Sequence, residues 1–265
     1  MKAQPGRVIF IGAGPGAADL ITLRGASRLA EAEVVLFDAL TDPALREFAP
    51  QAKWIDVGKR GFATRPGPDG RPGRASTDQT TIDALLVHHA QRHKTVVRLK
   101  GGDPSIFGRL EEELQALADA GIECEVVPGI TAAIAAAAHT QRPLTRRGNG
   151  RSVSLSTAMT KQGQLQGGRH ADTEVFYMAG RQLGTLSRAL RKAGWPSETP
   201  ALVVSRAGWP DALSSEHCIA ELAAAAVLHA GRPTVVTVGA GALPAALPSS
   251  RTLEFAQGGL QALAP

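Results

Sequence analysis

Short apolar runs alternate along the chain with longer stretches in which apolar residues recur every three to four positions. Arg7–Ile11, Val34–Phe37, Lys53–Val57, Thr95–Leu99 and Glu123–Val127 read as strands. Ala17–Glu31, Gln79–Arg92 and Phe107–Ala120 read as helices between them. This alternation predicts βαβ units around a mostly parallel sheet. The run Ile130–Ala138, broken by Thr131, is far too short to cross a bilayer. No apolar stretch stands ahead of a small-residue cleavage site at the start. The expectation is a soluble, cytoplasmic protein.

The pattern changes near residue 147. Arg142–Arg151 is rich in Pro, Gly and Arg and has no acid, as a linker would be. Beyond it, Val153–Thr157, Glu174–Met178, Leu202–Ser205 and Thr234–Val238 read as strands. Leu183–Lys192 and Ile219–Leu228 read as helices. The expected fold class is therefore α/β, with two α/β domains and an active-site cleft between them. The first would cover 1–147, the second 148–243, and 244–265 would be a loosely held tail. Gly61–Arg74 and Gln162–Arg169 lack periodicity and read as loops.

Composition narrows the function. Hydrophobic residues make up 43% of the chain, which supports a true core and argues against wholesale disorder. Lys plus Arg is 29 against 24 acids, a net charge of +5 that favours an anionic partner without naming one. Aromatics are only 4%, too few for a platform that stacks unpaired bases. Cys124 and Cys218 lie far apart, so no metal site and no disulfide framework is expected.

The candidate chemistry starts at Gly12-Ala13-Gly14-Pro15-Gly16-Ala17, directly after the first strand. Glycines there let the chain turn tightly and let a ligand lie against bare backbone. With Asp38 ending the second strand, the run also satisfies a dinucleotide-binding pattern. A nicotinamide-dependent oxidoreductase is therefore one reading, and a plain strand–helix turn is another. Pro15 weakens the dinucleotide case, because it removes an N–H where a pyrophosphate wants donors. The basic loops leave a third reading open, an RNA-binding protein without catalysis.

Three more segments matter, the first two directly after the fourth and fifth strands and the third after the helix that follows. They are Lys100-Gly101-Gly102-Asp103-Pro104-Ser105-Ile106-Phe107-Gly108-Arg109, Val127-Pro128-Gly129-Ile130-Thr131-Ala132, and Pro143-Leu144-Thr145-Arg146-Arg147. With Val57-Gly58-Lys59-Arg60, this ordered set resembles the uroporphyrinogen-III C-methyltransferases of the tetrapyrrole methylase family. The likeness runs from about Arg7 to Gly239. Sister precorrin methylases share the glycine loops but usually lack the acid ending the second strand, the V-G-K-R segment and G-G-D-P-x-I-F-G-R. All three are present here.

The resemblance implies S-adenosyl-L-methionine as co-substrate, S-adenosyl-L-homocysteine as product, and no metal. It implies methylation of uroporphyrinogen III at C2 and C7, giving precorrin-2 by way of precorrin-1. It places the co-substrate against Pro15, Gly101, Gly102, Asp103, Ile106, Thr131, Ala132, Met178 and Ala207. It makes Asp38 the candidate proton acceptor and Lys59 the candidate donor, with Arg109 in the catalytic group. Arg60, Glu112, Arg146 and Arg147 become substrate contacts, and the assembly a homodimer with no nucleic-acid or membrane partner. A polycarboxylate macrocycle suits arginine forks in particular. The sequence also departs from the pattern. Thr157-Ala158-Met159 stands for Thr-Gly-His, Arg146 for His, Leu110 for Gly and Ala207 for Gly, and the 61–74 segment is longer than usual.

Overall fold

The computed structural model describes residues 5–58, 77–159, 165 and 168–245. Lys59, Arg60, the Gly61–Arg74 loop, most of Gln162–Arg169 and most of the tail lie outside them.

The first sheet is fully parallel, in the order β3-β2-β4-β1-β5. Its strands are β1 (Arg7–Gly12), β2 (Val34–Phe37), β3 (Lys53–Asp56), β4 (Thr95–Lys100) and β5 (Glu123–Val127). Both faces are covered, so its strands are nearly continuous apolar runs. Val8 and Phe10 of β1 pack with Val34, Leu36 and Val96 towards α2 (Gln79–Ala90) and α3 (Leu110–Asp119). Ile9 and Ile11 pack on the other face, with Val35, Val97 and Leu99, against Leu29 of α1 (Leu23–Ala30).

Two helices of this half are shorter than the sequence suggests. Ala17–Glu31 is a 3-10 turn at Ala18–Leu20 followed by α1. Thr22 sets that start, because its hydroxyl accepts from the Gly25 N–H at 3.0 Å. Phe107–Ala120 becomes helical only at Leu110, because Phe107 and Arg109 have φ of 51° and 57°. Left-handed residues cannot continue a right-handed helix.

The second sheet is mixed, in the order β6-β7-β10-β8-β9. Here β6 is Val153–Thr157, β7 Thr173–Tyr177, β8 Pro200–Ser205, β9 Leu213–Cys218 and β10 Thr234–Gly239. Only β6 and β7 run parallel; the other neighbours are antiparallel. Strand β9, LSSEHC, is an edge strand with too little apolar alternation to stand out in the sequence. The expected helix Ile219–Leu228 is a 3-10 turn at Ile219–Glu221 and one short helix, α6 (Ala225–Leu228). Phe176, Val203, Val236 and Val238 face Leu183, Leu186 and Leu190 of α5 (Leu183–Lys192).

The opposite face is covered by α4 (Ala132–His139). Its alanines Ala133, Ala135 and Ala136 lie on Val175, Tyr177, Leu202, Val204 and Val235. Small side chains let this helix approach the sheet closely. By packing, α4 belongs to the second sheet, although it precedes residue 148. The strand ends of the first sheet are thereby held against the second.

Candidate active site

The loops that leave β1, β4 and β5 are stitched together backbone to backbone. Gly14 and Gly102 form an antiparallel bridge, with the Gly102 N–H donating to Gly14 O at 2.7 Å. A Cβ on Gly12 would lie 2.5 Å from Gly129 Cα, and one on Gly129 would lie 2.3 Å from Gly102 O. A Cβ on Gly16 would lie 2.4 Å from the Gly208 backbone, whose carbonyl accepts from the Ala17 N–H at 2.8 Å. Gly12 and Gly16 therefore serve close packing between chain segments. Gly14, the position a dinucleotide fold would turn to a pyrophosphate, is closed as well, since its N–H donates to Gly102 O at 3.3 Å and a Cβ on it would lie 2.9 Å from Leu20 O, which speaks against a dinucleotide reading of the first loop.

Gly101 and Gly102 differ. A Cβ on Gly101 would meet nothing nearer than Leu40 Cβ at 3.7 Å. One on Gly102 would meet nothing nearer than Thr131 Cα at 3.9 Å. The backbone there borders open space that a flat ligand can fill, and the residues around it fit an adenosyl sulfonium compound, which has no phosphate. Asp103 holds the cradle's shape, since Oδ1 accepts from the Ser105 N–H at 2.8 Å and Oδ2 from the Gly129 N–H at 2.9 Å.

The remaining wall comes from the second sheet. Thr131 precedes α4 but makes no cap; its hydroxyl pairs with that of Tyr177 at 2.8 Å. Burial pushes the Tyr177 phenol's pKa up, so it stays a neutral donor and acceptor. Met178 follows with φ of 57° and packs with Ile106 and Ala132 on the Ala133–Val175–Tyr177–Val235 cluster. Ala207 is buried beside α4, and its neighbour Gly208 would bring a Cβ to 2.7 Å from Pro15 Cγ. The nine residues expected around the co-substrate thus fall on one connected seam between the two sheets.

Asp38 lies at the end of β2, beside β4, and its loop neighbour Leu40 borders Gly101. Its Oδ1 accepts from Arg98 Nη2 at 2.6 Å. Arg98, Lys100 and Glu113 are essentially without exposure. Glu113 accepts from Lys100 Nζ at 2.6 Å and from Arg98 Nε at 3.3 Å. Burial and the neighbouring Arg98 charge push the Lys100 pKa down to about 8. Arg98 moves the other way. Burial disfavours its charge, but Asp38 and Glu113 outweigh that.

Sequence reasoning gave Asp38 its role but none to Arg98, Lys100 or Glu113 behind it. Their signal was present, since Arg98 and Lys100 stand two apart in an apolar strand and so share one covered face. Tyr177 and Gly208 were likewise not singled out.

The substrate candidates scatter more widely. Arg109 and Glu112 form an exposed ion pair at the start of α3, with Arg109 Nε to Glu112 Oε1 at 2.6 Å. Arg146 donates to the Leu243 and Pro244 carbonyls, which ties it to the end of the second sheet's half. Arg147 is exposed and has no hydrogen-bonding partner among the described residues. Lys59 and Arg60 follow Gly58, just beyond the described part of the loop after β3. Among the described residues, no cluster of three His, Cys, Asp or Glu could hold a metal, and no helix is long and apolar enough to cross a membrane.

Two α/β sheets meeting at a glycine-lined cradle, with an acid at the adjoining strand end, define a two-domain class of ligand-binding α/β protein. Residues 7–223 match the family model of the tetrapyrrole (corrin/porphyrin) methylases, and the chain belongs to that family. A uroporphyrinogen-III C-methyltransferase of Synechocystis sp. is 39% identical over 89% of this chain and 89% of its own. One from Pseudomonas aeruginosa is 40% identical over 76% of this chain and 80% of its own. The crystal structure of a Thermus thermophilus uroporphyrin-III C-methyl transferase complexed with S-adenyl homocysteine superposes with a TM-score of 0.75 and 33% identity. It covers 89% of this chain and 98% of the other.

Proposed function

We propose that this protein transfers methyl groups from S-adenosylmethionine to C2 and C7 of uroporphyrinogen III, giving precorrin-2 by way of precorrin-1. The observation that carries the reading is the open backbone at Gly101-Gly102, walled by Ile106, Thr131, Ala132 and Met178 and adjoining Asp38.

When bound, S-adenosylmethionine supplies a methyl already activated on a sulfonium. The chain's own work is alignment, exclusion of water and movement of a proton. Bare glycine backbone receives the adenosyl group, and Pro15 and Ala207 close its far side. Met178 and Ile106 supply apolar contact. Alignment of this kind can be worth ~7–11 kcal/mol of barrier. The pyrrole carbon attacks the methyl, the carbon–sulfur bond breaks onto sulfur, and the macrocycle then loses a proton as its double bonds rearrange. Asp38 is the acceptor of that proton and Lys59 a donor during rearrangement. Arg60, Arg109, Glu112 and Arg147 are the candidate substrate contacts, with Arg147 the most available of the described ones, whereas Arg146 is committed to the Leu243 and Pro244 carbonyls.

The test is anaerobic incubation with S-adenosylmethionine and uroporphyrinogen III, with added methyls counted by mass. Two methyls on the macrocycle and two molecules of S-adenosylhomocysteine per macrocycle are expected. A methylated precorrin product formed only from a later intermediate would move the assignment to a sister methylase.

A further inference from the structure

Strand β4 begins as an ordinary core strand and ends as an ionic one. Val96 packs in the apolar cluster under α2 and α3, while Arg98 and Lys100 follow on the same face. Burying two cations is costly unless each finds a carboxylate and its remaining N–H groups find acceptors. Arg98 meets that demand from four sides. Nη2 donates to Asp38 Oδ1 at 2.6 Å and Nε to Glu113 Oε1 at 3.3 Å. Nη1 donates to Leu99 O at 3.1 Å and reaches Leu36 O at 3.4 Å. Those carbonyls belong to two neighbouring strands, so the guanidinium plane is fixed by backbone before it meets either acid.

Glu113 is held from behind. Lys100 Nζ donates to its Oε2 at 2.6 Å and Gln79 Nε2 to its Oε1 at 3.2 Å. Among the described residues, the charges that face Arg98 from the elements around it are thus Asp38 just after β2, Lys100 on β4 and Glu113 on α3, with uncharged Gln79 from α2. At the outer end, Asp38 keeps 14% of its side chain exposed, and among the described residues nothing donates to its Oδ2. One oxygen is clamped from inside the fold and the other is left for chemistry.

We propose that Arg98 is a positioning residue for Asp38, and that the Lys100–Glu113 pair behind it holds Arg98 in place. The inference rests on the reading of Asp38 as proton acceptor. A carboxylate on a turn samples several rotamers, and a fork anchored to two strands removes that freedom. No Arg98 atom comes within 4 Å of where a Cβ on Gly101 or Gly102 would stand. Loss of Arg98 should therefore act on the rate and leave the co-substrate site in place.

The experiment compares Arg98→Met and Arg98→Lys for S-adenosylhomocysteine affinity by calorimetry and for kcat and KM with uroporphyrinogen III. In Arg98→Met, Glu113 retains Lys100 and Gln79, and Asp38 reaches water, so no buried charge is stranded. The expected result is a fall in kcat of about tenfold to a hundredfold, the range a misplaced catalytic group produces. KM and cofactor affinity should stay within about twofold, with Arg98→Lys recovering part of the rate. Cofactor affinity falling in step with kcat, with no recovery in Arg98→Lys, would make Arg98 purely structural and overturn the proposal. If Arg98→Met does not fold, Arg98→Lys decides alone. A reduced kcat with unchanged affinity supports the proposal, and a wild-type kcat or a joint loss overturns it. Asp38→Asn separates the two ideas. A wild-type rate there removes the acceptor role and the Arg98 inference with it. A lost rate there, beside an unaffected Arg98→Met, removes the Arg98 inference alone.

Discussion

The hydroxyls of Thr131 and Tyr177 lie 2.8 Å apart and join the start of α4 to the end of β7. Thr131 follows the last strand of the first sheet and Tyr177 ends a strand of the second. The same phenol oxygen accepts from the Ala133 N–H at 3.4 Å. One side chain thereby serves the role of a helix cap and sets the wall of the cradle.

Tyr177→Phe should lower stability by about 1 kcal/mol, the usual net worth of such a hydrogen bond. It should also weaken S-adenosylhomocysteine binding, because Thr131 loses the partner that orients it. Thermal unfolding and calorimetry check both. An unchanged melting temperature together with unchanged affinity would mean that the pair does not form in solution.

The glycines make a paired test. Gly101→Ala meets no atom nearer than 3.7 Å, so the unliganded fold should keep its stability within roughly 0.5 kcal/mol. Its methyl enters the space assigned to the ligand, so affinity for S-adenosylhomocysteine should drop tenfold or more, about 1.4 kcal/mol. Gly12→Ala puts its methyl 2.5 Å from Gly129 Cα and should instead unfold the strand ends. Gly102 is a poorer probe, since its φ of 72° strains any substitution with or without ligand. Equal affinity in wild type and Gly101→Ala would place the ligand elsewhere.

Local signals in the chain carried most of the fold. The first sheet was legible because buried parallel strands are mostly apolar runs, as at Val8–Ile11 and Val34–Phe37. Strand β9 was not, because an edge strand reading Leu-Ser-Ser-Glu-His-Cys buries little and shows little period. The seam's residues were legible through motif order. Their division of labour was not, since Gly12 and Gly101 look alike until the neighbouring backbone is in place. Arg98 and Lys100 gave a signal that only a non-local partner, Glu113 on α3, makes intelligible.

Arg146 and Arg147 stand side by side yet should behave differently. The Arg146 guanidinium is committed to the Leu243 and Pro244 carbonyls, so Arg146→Ala should cost stability and little else. Arg147 is exposed without such a commitment, so Arg147→Ala should raise the uroporphyrinogen KM and spare cofactor binding. A charge-assisted hydrogen bond is worth about 1.5–3 kcal/mol, or roughly tenfold to a hundredfold in KM. Added salt should weaken wild-type binding in the same direction. An unchanged KM for Arg147→Ala at low and high salt would show that the substrate carboxylates bind elsewhere, with Arg60 and Arg109 next in order.

The second domain holds a chain of hydrogen bonds whose direction can be worked out. Arg232 Nε donates to Ser205 Oγ at 3.0 Å, and Ser205 Oγ lies 2.9 Å from His229 Nδ1. His229 Nε2 lies 2.8 Å from Ser215 Oγ, which lies 2.7 Å from His217 Nε2. Arginine can only donate. The buried Ser205 hydroxyl hydrogen then has one acceptor, Nδ1, so His229 carries its proton on Nε2 and donates to Ser215. This arrangement needs a neutral imidazole. Burial first, then the charges of His217 and Arg232, hold the His229 pKa below its ordinary value. The unfolded chain therefore takes up a proton that the fold refuses, and the stability His229 contributes is present above about pH 6.5 and lost as pH falls below it. His89, lowered in the same direction by burial and by His88 and His93, adds to the loss. His229→Gln should be less stable than wild type at pH 7.5, and the gap should narrow at pH 5.5, measured by urea unfolding at both. A gap that stays constant or widens in acid would mean that the imidazole is charged inside the fold, and the assigned direction of the chain would have to be reversed at Ser205.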